Sequence, residues 1–498
     1  MKKALKNIFA SALPQIVNII ANLILPGIII VKFGSEVNGL VSTTKTIVSY
    51  IGLVGAGIAT AVTQSLYSPV AKKNDAAVNA ILNAAGNMFN KYGFIFCSIT
   101  FAVALIYPFT LKTDIPYITI ASLLLVISLS GASEFFAIGR YRALLYANQQ
   151  VYVCTLIQAA SLLISLVFAL ILLNSNIGIV LVQLAVSLVY VLHGVFLFIY
   201  VRHNYPQYSN YKRYKPINEA IQKRNDAMIH QISGVVVAGS QAAILSVFVN
   251  LQSASIFAVY NIVFSGLQSI CANLSTAVTP FLGRKLALGE NSELNKLYDV
   301  IEYSFFALVA LVFSVASVML LPFISIYTRN ADINYIYPSF AVLFIFSSAF
   351  YILKLPSVSL INIAGHFKET RKYAIVEMIL SISVSVIMTI LIGKDGVLIG
   401  AGCAMGWRCL VTIIYTNKQI LKARSKKSII RLTKALGMIS AFCICSNLFT
   451  IKSANYSEWV ILAITISAIA IVLIFADAYL FENRTFSYAI SLFHRENA

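Results

Sequence analysis

Long apolar segments recur along almost the whole chain, and they restrict it to one class of fold. The first, IFASALPQIVNIIANLILPGIIIV at residues 8–31, is as long as a membrane-spanning helix, which needs about 20 apolar residues. The chain is 59% hydrophobic and 11% charged, whereas a typical soluble domain is about 25% charged. We therefore predict an all-α polytopic membrane protein with about 14 transmembrane helices.

The positions of the basic residues predict the orientation of these helices. The predicted spans are residues 8–31, 38–63, 87–108, 116–138, 151–173, 177–200, 227–250, 254–281, 300–326, 336–363, 374–393, 395–417, 435–451 and 457–480. Of the 37 Lys and Arg residues, five lie in predicted outer loops and three within spans. Because cytoplasmic segments carry the excess of Lys and Arg, we predict that both termini are cytoplasmic.

The net charge of +19 is explained by this topology and by attraction to anionic lipids of the inner leaflet. The densest basic stretches, NYKRYKP at 210–216 and KARSKKSIIR at 422–431, lie directly beside predicted spans. Contact with lipid headgroups accounts for them, and we do not expect nucleic acid as a partner.

Two short sequence matches indicate an internal repeat. TAVT at 60–63 recurs at 276–279, and ALL at 143–145 matches SLI at 359–361, so both matches have the same offset along the chain. An offset of six spans repeats the unit in the same orientation, as in transporters with parallel repeats. We predict a six-helix bundle at 1–200, a cytoplasmic linker at 201–226, a second bundle at 227–417, a basic cytoplasmic loop at 418–434, and two further helices with a tail at 435–498. The two bundles should surround a central cavity.

One face of the first span is polar. Gln15, Asn18 and Asn22 follow each other at helical spacing, so they lie on one side of a helix. Polar groups within a membrane need partners or water, and we expect this face to line the cavity. Hydrogen bonding between helices is the alternative for each single amide. Pro14 and Pro26 lie in the same span and favour kinks, which predicts a gate or hinge.

The second and eighth spans carry corresponding polar faces. Lys45 and Ser49 lie on one face of span 2, and Asn261 and Gln268 lie on one face of span 8. Asn261 follows Lys45 at the offset of the internal repeat, so we expect the two to face each other across the cavity. A lysine within a membrane helix costs roughly 2.5–3.5 kcal/mol. That cost makes Lys45 the leading candidate for substrate binding.

Four further charged residues are candidate site residues. Arg408 is near the middle of span 12, and Lys354 lies in the cytoplasmic half of span 10; both are candidates for substrate binding. Glu134 and Glu377 lie close to inner helix ends, where ion pairing is the simpler interpretation and ion coupling the functional one. Either cation is also able to pair structurally with Glu377.

Motifs for other chemistry are missing from the sequence. It contains no G-x-x-x-x-G-K-[ST] phosphate loop, no H-E-x-x-H and no zinc-type cluster. We therefore expect no cofactor, no metal and no catalytic residues. Transport would have to run on a gradient, on the membrane potential or downhill.

Fourteen spans, a proline-bearing polar first helix, a second helix with a cation, and the stretch RYRALLYANQQ after span 4 resemble the polysaccharide (Wzx-type) flippases. These belong to the multidrug/oligosaccharidyl-lipid/polysaccharide exporter superfamily. The resemblance implies a flippase of the bacterial cytoplasmic (inner) membrane for undecaprenyl-diphosphate-linked oligosaccharide repeat units, working by alternating access in the synthesis of O-antigen, capsule or exopolysaccharide. It implies a lipid-linked oligosaccharide as substrate, and it leaves open whether the protein acts alone or beside a polysaccharide polymerase and a chain-length regulator. We expect a monomer.

Two other function classes remain open. A MATE-like cation-coupled multidrug exporter would need an acid deep in a bundle, which Glu134 or Glu377 would have to supply. A membrane-embedded polysaccharide polymerase or ligase needs a sizeable outer loop, but the longest predicted one, TRNADINYIYP, has 11 residues. A channel or scaffold would leave the internal repeat unexplained.

Overall fold

The computed structural model describes residues 2–175, 177–208, 211–217, 225–448, 455–483 and 485–488, and only the backbone at 2–12, 225–231, 276–278, 280, 287 and 447–448. The described part of the chain is helical. Its helices are α1 (Lys2–Phe33), α2 (Ser35–Gly52), α3 (Ile58–Ala71), α4 (Asp75–Ile106), α5 (Tyr117–Ser133), α6 (Gly139–Ala147), α7 (Val151–Asn174), α8 (Ile179–Asn204), α9 (Asn225–Phe248), α10 (Leu251–Ala287), α11 (Asn291–Tyr327), α12 (Pro338–Leu353), α13 (Leu355–Ile363), α14 (Phe367–Ile392), α15 (Asp395–Tyr415), α16 (Lys426–Leu448) and α17 (Tyr456–Phe481).

The predicted fold class is confirmed. Within the described residues, 12 helices are long and apolar enough to cross a membrane, or 13 if the bent pair α2–α3 is one span, and α9 adds a shorter apolar stretch at Ile232–Phe248. Several helices begin earlier than the apolar windows suggested. For example, α4 begins at Asp75 because the Asn74 side chain caps it, accepting a hydrogen bond of 3.1 Å from the Ala77 amide.

The internal repeat is visible in the helix positions. The first residues of α2 and α10, α4 and α11, α6 and α13, α7 and α14, and α8 and α15 are all separated by the same offset as the two sequence matches. The two copies differ at one place. The first copy bends by 42° between α2 and α3, at Gly52, Gly55 and Gly57, whereas α10 continues unbroken through the corresponding positions. Gly57 has a φ of 78°, which glycine adopts without strain.

The chain forms two compact units, Met1–Ala258 and Val259–Ala498. Their boundary lies after the predicted linker at 201–226, because α9 packs against α2 inside the first unit. The Tyr50 hydroxyl donates a hydrogen bond of 3.0 Å to the Val236 carbonyl. The Asn38 amide donates one of 2.7 Å to Ser255 at the start of α10.

In the second unit, α14 and α15 form a closely packed helical hairpin. A Cβ atom at Gly396 would lie 2.2 Å from the Met388 carbonyl oxygen, and one at Gly400 would lie 2.2 Å from the Ser385 amide nitrogen. The Ser385 hydroxyl donates a hydrogen bond of 2.9 Å to the Val397 carbonyl. Small residues thus let two backbones approach each other, as expected for helix pairs in membranes.

Replacing Gly400 with leucine is expected to destabilise the second unit severely. The new side chain would meet α14 backbone, which cannot move without separating the two helices, so the loss should exceed the roughly 1–3 kcal/mol of ordinary overpacking. Thermal unfolding in detergent measures it. Gly437→Leu on α16 is the matched control, because a Cβ atom there has no neighbour within 4 Å. Equal melting temperatures for the two variants would contradict the close contact.

The C-terminal helices are held to α11 by buried charges. Arg431 forms ion pairs with Asp299 at 2.9 Å, Glu302 at 3.1 Å and Glu482 at 2.7 Å. The segment predicted as a basic loop, 418–434, is largely helical, because α16 begins at Lys426. Arg431 therefore fixes α16 to α11 through buried ion pairs, whereas the sequence analysis assigned this basic stretch to contact with lipid headgroups.

Candidate functional site

A cavity of about 500 Å³ lies within the first unit, between α1, α2, α5, α6, α7 and α8. Its volume is within the range of small-molecule binding sites, about 300–1,000 Å³. Its lining is rich in amides, hydroxyls and charged groups: Asn18, Asn22, Lys45, Ser49, Ser130, Glu134, Arg142, Gln158, Gln183, Ser187, Tyr190 and His193. The cavity thus brings together five sequence-predicted residues: Lys45, Asn18, Asn22, Ser49 and Glu134.

Helix α1 contributes the amides. Asn18 and Asn22 are exposed, and the Asn22 side-chain amide donates a hydrogen bond of 3.4 Å to Asn18 Oδ1. Gln15 is exposed, but it is not among the lining residues. Helix α1 continues as one element through Pro14, which is buried, and Pro26, which is half-buried. The predicted gating role of these prolines stays a prediction.

Helix α2 contributes the lysine. Lys45 and Ser49 lie on the exposed face of α2, while Thr44 and Val48 are buried behind them. Among the described residues, none forms an ion pair or a hydrogen bond with the Lys45 ammonium. A cation with no partner among the described residues is available to a ligand that enters the cavity.

Glu134 faces the same cavity, but it has a partner. Arg142 binds both of its carboxylate oxygens, through Nη1 to Oε2 at 3.1 Å and through Nη2 to Oε1. Residues eight apart on a regular helix point roughly 80° away from each other. The π-helical turn at Glu134–Ile138 takes up one extra residue and returns both side chains to one face.

Arg142 was missed as a site residue because regular helical spacing would direct it away from Glu134. The stretch RYRALLY was noted in the sequence, but only the wide turn brings its second arginine to the cavity. His193 was also missed. It is buried, and in the described part of the chain its Nδ1 has no hydrogen-bond partner.

The other predicted charged residues form a buried cluster in the second unit. The Lys354 ammonium binds Glu377 Oε1, and Arg408 Nε lies 3.5 Å from Glu377 Oε2. Lys354, Glu377 and Arg408 are only 8%, 6% and 5% exposed. Lys354 occupies the break between α12 and α13, where Pro356 cannot supply a backbone N–H group. The cluster holds two cations and one acid.

Asn261 and Gln268 are half-buried side chains on α10 in the second unit. Their contact with a substrate, and the predicted approach of Asn261 to Lys45, stay predictions.

Comparison with known proteins shows similarity of fold without similarity of sequence. No protein-family model and no curated protein matches the chain. A multidrug-resistance MATE family transporter of the MOP superfamily, in an inward-facing conformation, matches with a TM-score of 0.65 at 13% identity, over 84% of this chain and 99% of its own. The lipid II flippase MurJ, in an inward closed conformation, matches with a TM-score of 0.63 at 13% identity, over 95% of this chain and 99% of its own. A eukaryotic MATE transporter matches with a TM-score of 0.57 at 14% identity, over 89% of this chain and 99% of its own.

The chain therefore has the all-α polytopic fold of these membrane transporters. These structures include a lipid II flippase and a multidrug-resistance transporter, so the fold alone does not distinguish these two kinds of protein.

Proposed function

We propose that this protein is a flippase that moves undecaprenyl-diphosphate-linked oligosaccharides outward across the bacterial cytoplasmic membrane by alternating access, for the synthesis of surface polysaccharide. The observation that carries the proposal is the Lys45 ammonium. It lies without a partner among the described residues in a cavity of about 500 Å³, and the acid that faces the same cavity, Glu134, is paired with Arg142.

The cavity chemistry fits a phosphorylated sugar. Amides and hydroxyls such as those of Asn18, Asn22 and Ser49 are able to replace water around sugar hydroxyls. An ammonium stabilises a diphosphate as a point charge. The membrane potential favours the same direction, because moving two negative charges outward yields roughly 4–5 kcal/mol at 100 mV, inside negative.

The alternative is cation-coupled multidrug export. One observation favours it: Glu134 lies in the same cavity, where an acid would have to exchange a coupling ion for a drug. Its bidentate pairing with Arg142 argues against that role, because binding a cation would first require breaking a charge-assisted bond on each oxygen.

Two cell assays distinguish these functions. The proposal expects the wild-type chain to restore surface polysaccharide in a flippase-deficient strain and to leave ethidium accumulation unchanged in a strain that lacks drug exporters. Cells that carry an empty vector are the control in both. Ethidium efflux that Glu134→Gln abolishes and Lys45→Ala leaves intact would reverse the assignment.

A further inference from the structure

The first unit contains a second cavity that the proposed transport function does not use. It has a volume of about 490 Å³ and lies beside the end of α8, between that helix, Tyr208 and residues 211–213. Its lining combines basic and aromatic side chains with one valine: Arg140, Tyr141, Phe198, Val201, Arg202, Tyr208, Tyr211, Lys212 and Arg213. This end of α8 is predicted to be cytoplasmic.

The lining carries four cations, and no acid lies among the described residues that form it. Asp75 contacts one of the lining residues, because its carboxylate accepts a hydrogen bond of 2.9 Å from the Tyr208 hydroxyl. Four like charges around one cavity repel each other. An anion that enters the cavity would relieve that repulsion.

Arg140 is held in a fixed orientation at this cavity. Its Nη1 donates a hydrogen bond of 2.7 Å to the Tyr211 hydroxyl, and its guanidinium lies 4.7 Å from the Tyr141 ring centre and 5.4 Å from that of Tyr211. Its Nε is buried, and no described residue accepts a hydrogen bond from it. A guanidinium held by one hydroxyl and two aromatic rings is pre-positioned beside the cavity, and arginine is the side chain that favours phosphate recognition.

The remaining residues place the site at headgroup depth. Arg202 lies in the last turn of a candidate membrane span, Ile179–Asn204. Phe198, one turn earlier on α8, is 40% exposed, and the lining residues Lys212 and Arg213 are also exposed. The lining thus combines the apolar surface of Phe198 with several cations. This combination matches an amphiphile with a phosphate headgroup.

We propose that this cavity binds the phosphate headgroup of an anionic membrane phospholipid, with Arg140 as the fixed donor and Arg202, Lys212 and Arg213 closing around the phosphate. The site is separate from the Lys45 cavity, and it does not depend on which substrate the protein exports.

Lipid retention by the full chain tests this site. The detergent-solubilised protein is titrated with phosphatidylglycerol against a phosphatidylcholine background, and bound lipid is counted by native mass spectrometry. Lys212→Gln combined with Arg213→Gln is expected to weaken phosphatidylglycerol binding about tenfold at low salt and less as salt rises. The matched control, Lys72→Gln combined with Lys73→Gln, removes two exposed cations outside the cavity and should bind as wild type does.

Arg140→Gln is the second variant, and it should abolish the preference for phosphatidylglycerol over phosphatidylcholine. Equal retention by the Lys212/Arg213 variant, the Lys72/Lys73 variant and the wild type would overturn the proposal. A second arm replaces phosphatidylglycerol with inorganic pyrophosphate. Weak pyrophosphate binding supports the lipid source, whereas tight binding that Arg140→Gln abolishes would assign the phosphate chemistry to a soluble ligand and overturn the lipid.

Discussion

Replacing Lys45 with alanine is expected to abolish complementation of a flippase-deficient strain while the protein still reaches the membrane. Lys45 is the cation of the 500 Å³ cavity that has no partner among the described residues. A hydrogen bond to a charged group contributes about 1.5–3 kcal/mol, so its loss should lower transport by roughly 10- to 100-fold. Because Lys45 is exposed on α2 and pairs with no other described group, the fold should not depend on it.

Three variants make this result specific. Lys45→Arg keeps the positive charge and should retain part of the activity. Lys45→Gln keeps a long polar side chain without the charge and should retain no activity. Lys72→Ala, which removes an exposed lysine at the end of α3, should complement fully. Membrane content is measured by immunoblot alongside surface polysaccharide. Full complementation by Lys45→Ala at normal membrane content would remove Lys45 from the site.

Replacing Glu377 with glutamine is expected to unfold the second unit. Glu377 is the acid between Lys354 and Arg408, and all three are less than 9% exposed. Removing one partner of a buried pair typically costs about 3–5 kcal/mol, because an unpaired charge stays buried. Here two cations would be left without their acid, so the cost should reach at least that range.

Lys354→Met provides the contrast. It leaves Arg408 and Glu377 as a balanced pair and removes the excess cation, so we expect a much smaller loss of stability. Thermal unfolding of both variants in detergent, followed by circular dichroism, measures the difference. Similar melting temperatures for Glu377→Gln and wild type would contradict a structural role for this cluster; substrate binding by Lys354 and Arg408 stays a prediction.

Most of the fold could be predicted from the sequence because it depends on apolar length and on local matches. Each apolar window overlaps at least one described helix, and the offset of the two sequence matches recurs in five pairs of helix starts. The bend after α2 could not be predicted in this way. Gly52, Gly55 and Gly57 permit it, but hydropathy is as high across the bend as along a straight helix.

The unit boundary and the charged residues were harder to place because both depend on tertiary contacts. The boundary follows the packing of α9 on α2, through Tyr50 and Val236, which leaves no local trace in the sequence. The pairing of Lys354 with Glu377, which the sequence analysis named only as an alternative, joins residues 23 positions apart. The pairing of Arg142 with Glu134 depends on a π-helical turn. By contrast, Asn18 and Asn22 share one face of α1, and Lys45 and Ser49 share one face of α2, so periodicity alone placed each pair on one side of its helix.

Flipping in reconstituted vesicles tests the central claim most directly. Vesicles that contain the purified chain are loaded with a fluorescent undecaprenyl-diphosphate-linked oligosaccharide, and a membrane potential is imposed. The account predicts transfer of the labelled lipid across the bilayer by the wild type, acceleration by a potential that favours movement of the anion, and loss of transfer in Lys45→Ala. Transfer at equal rates by wild type and Lys45→Ala, or no transfer by the wild type at either polarity, would contradict it.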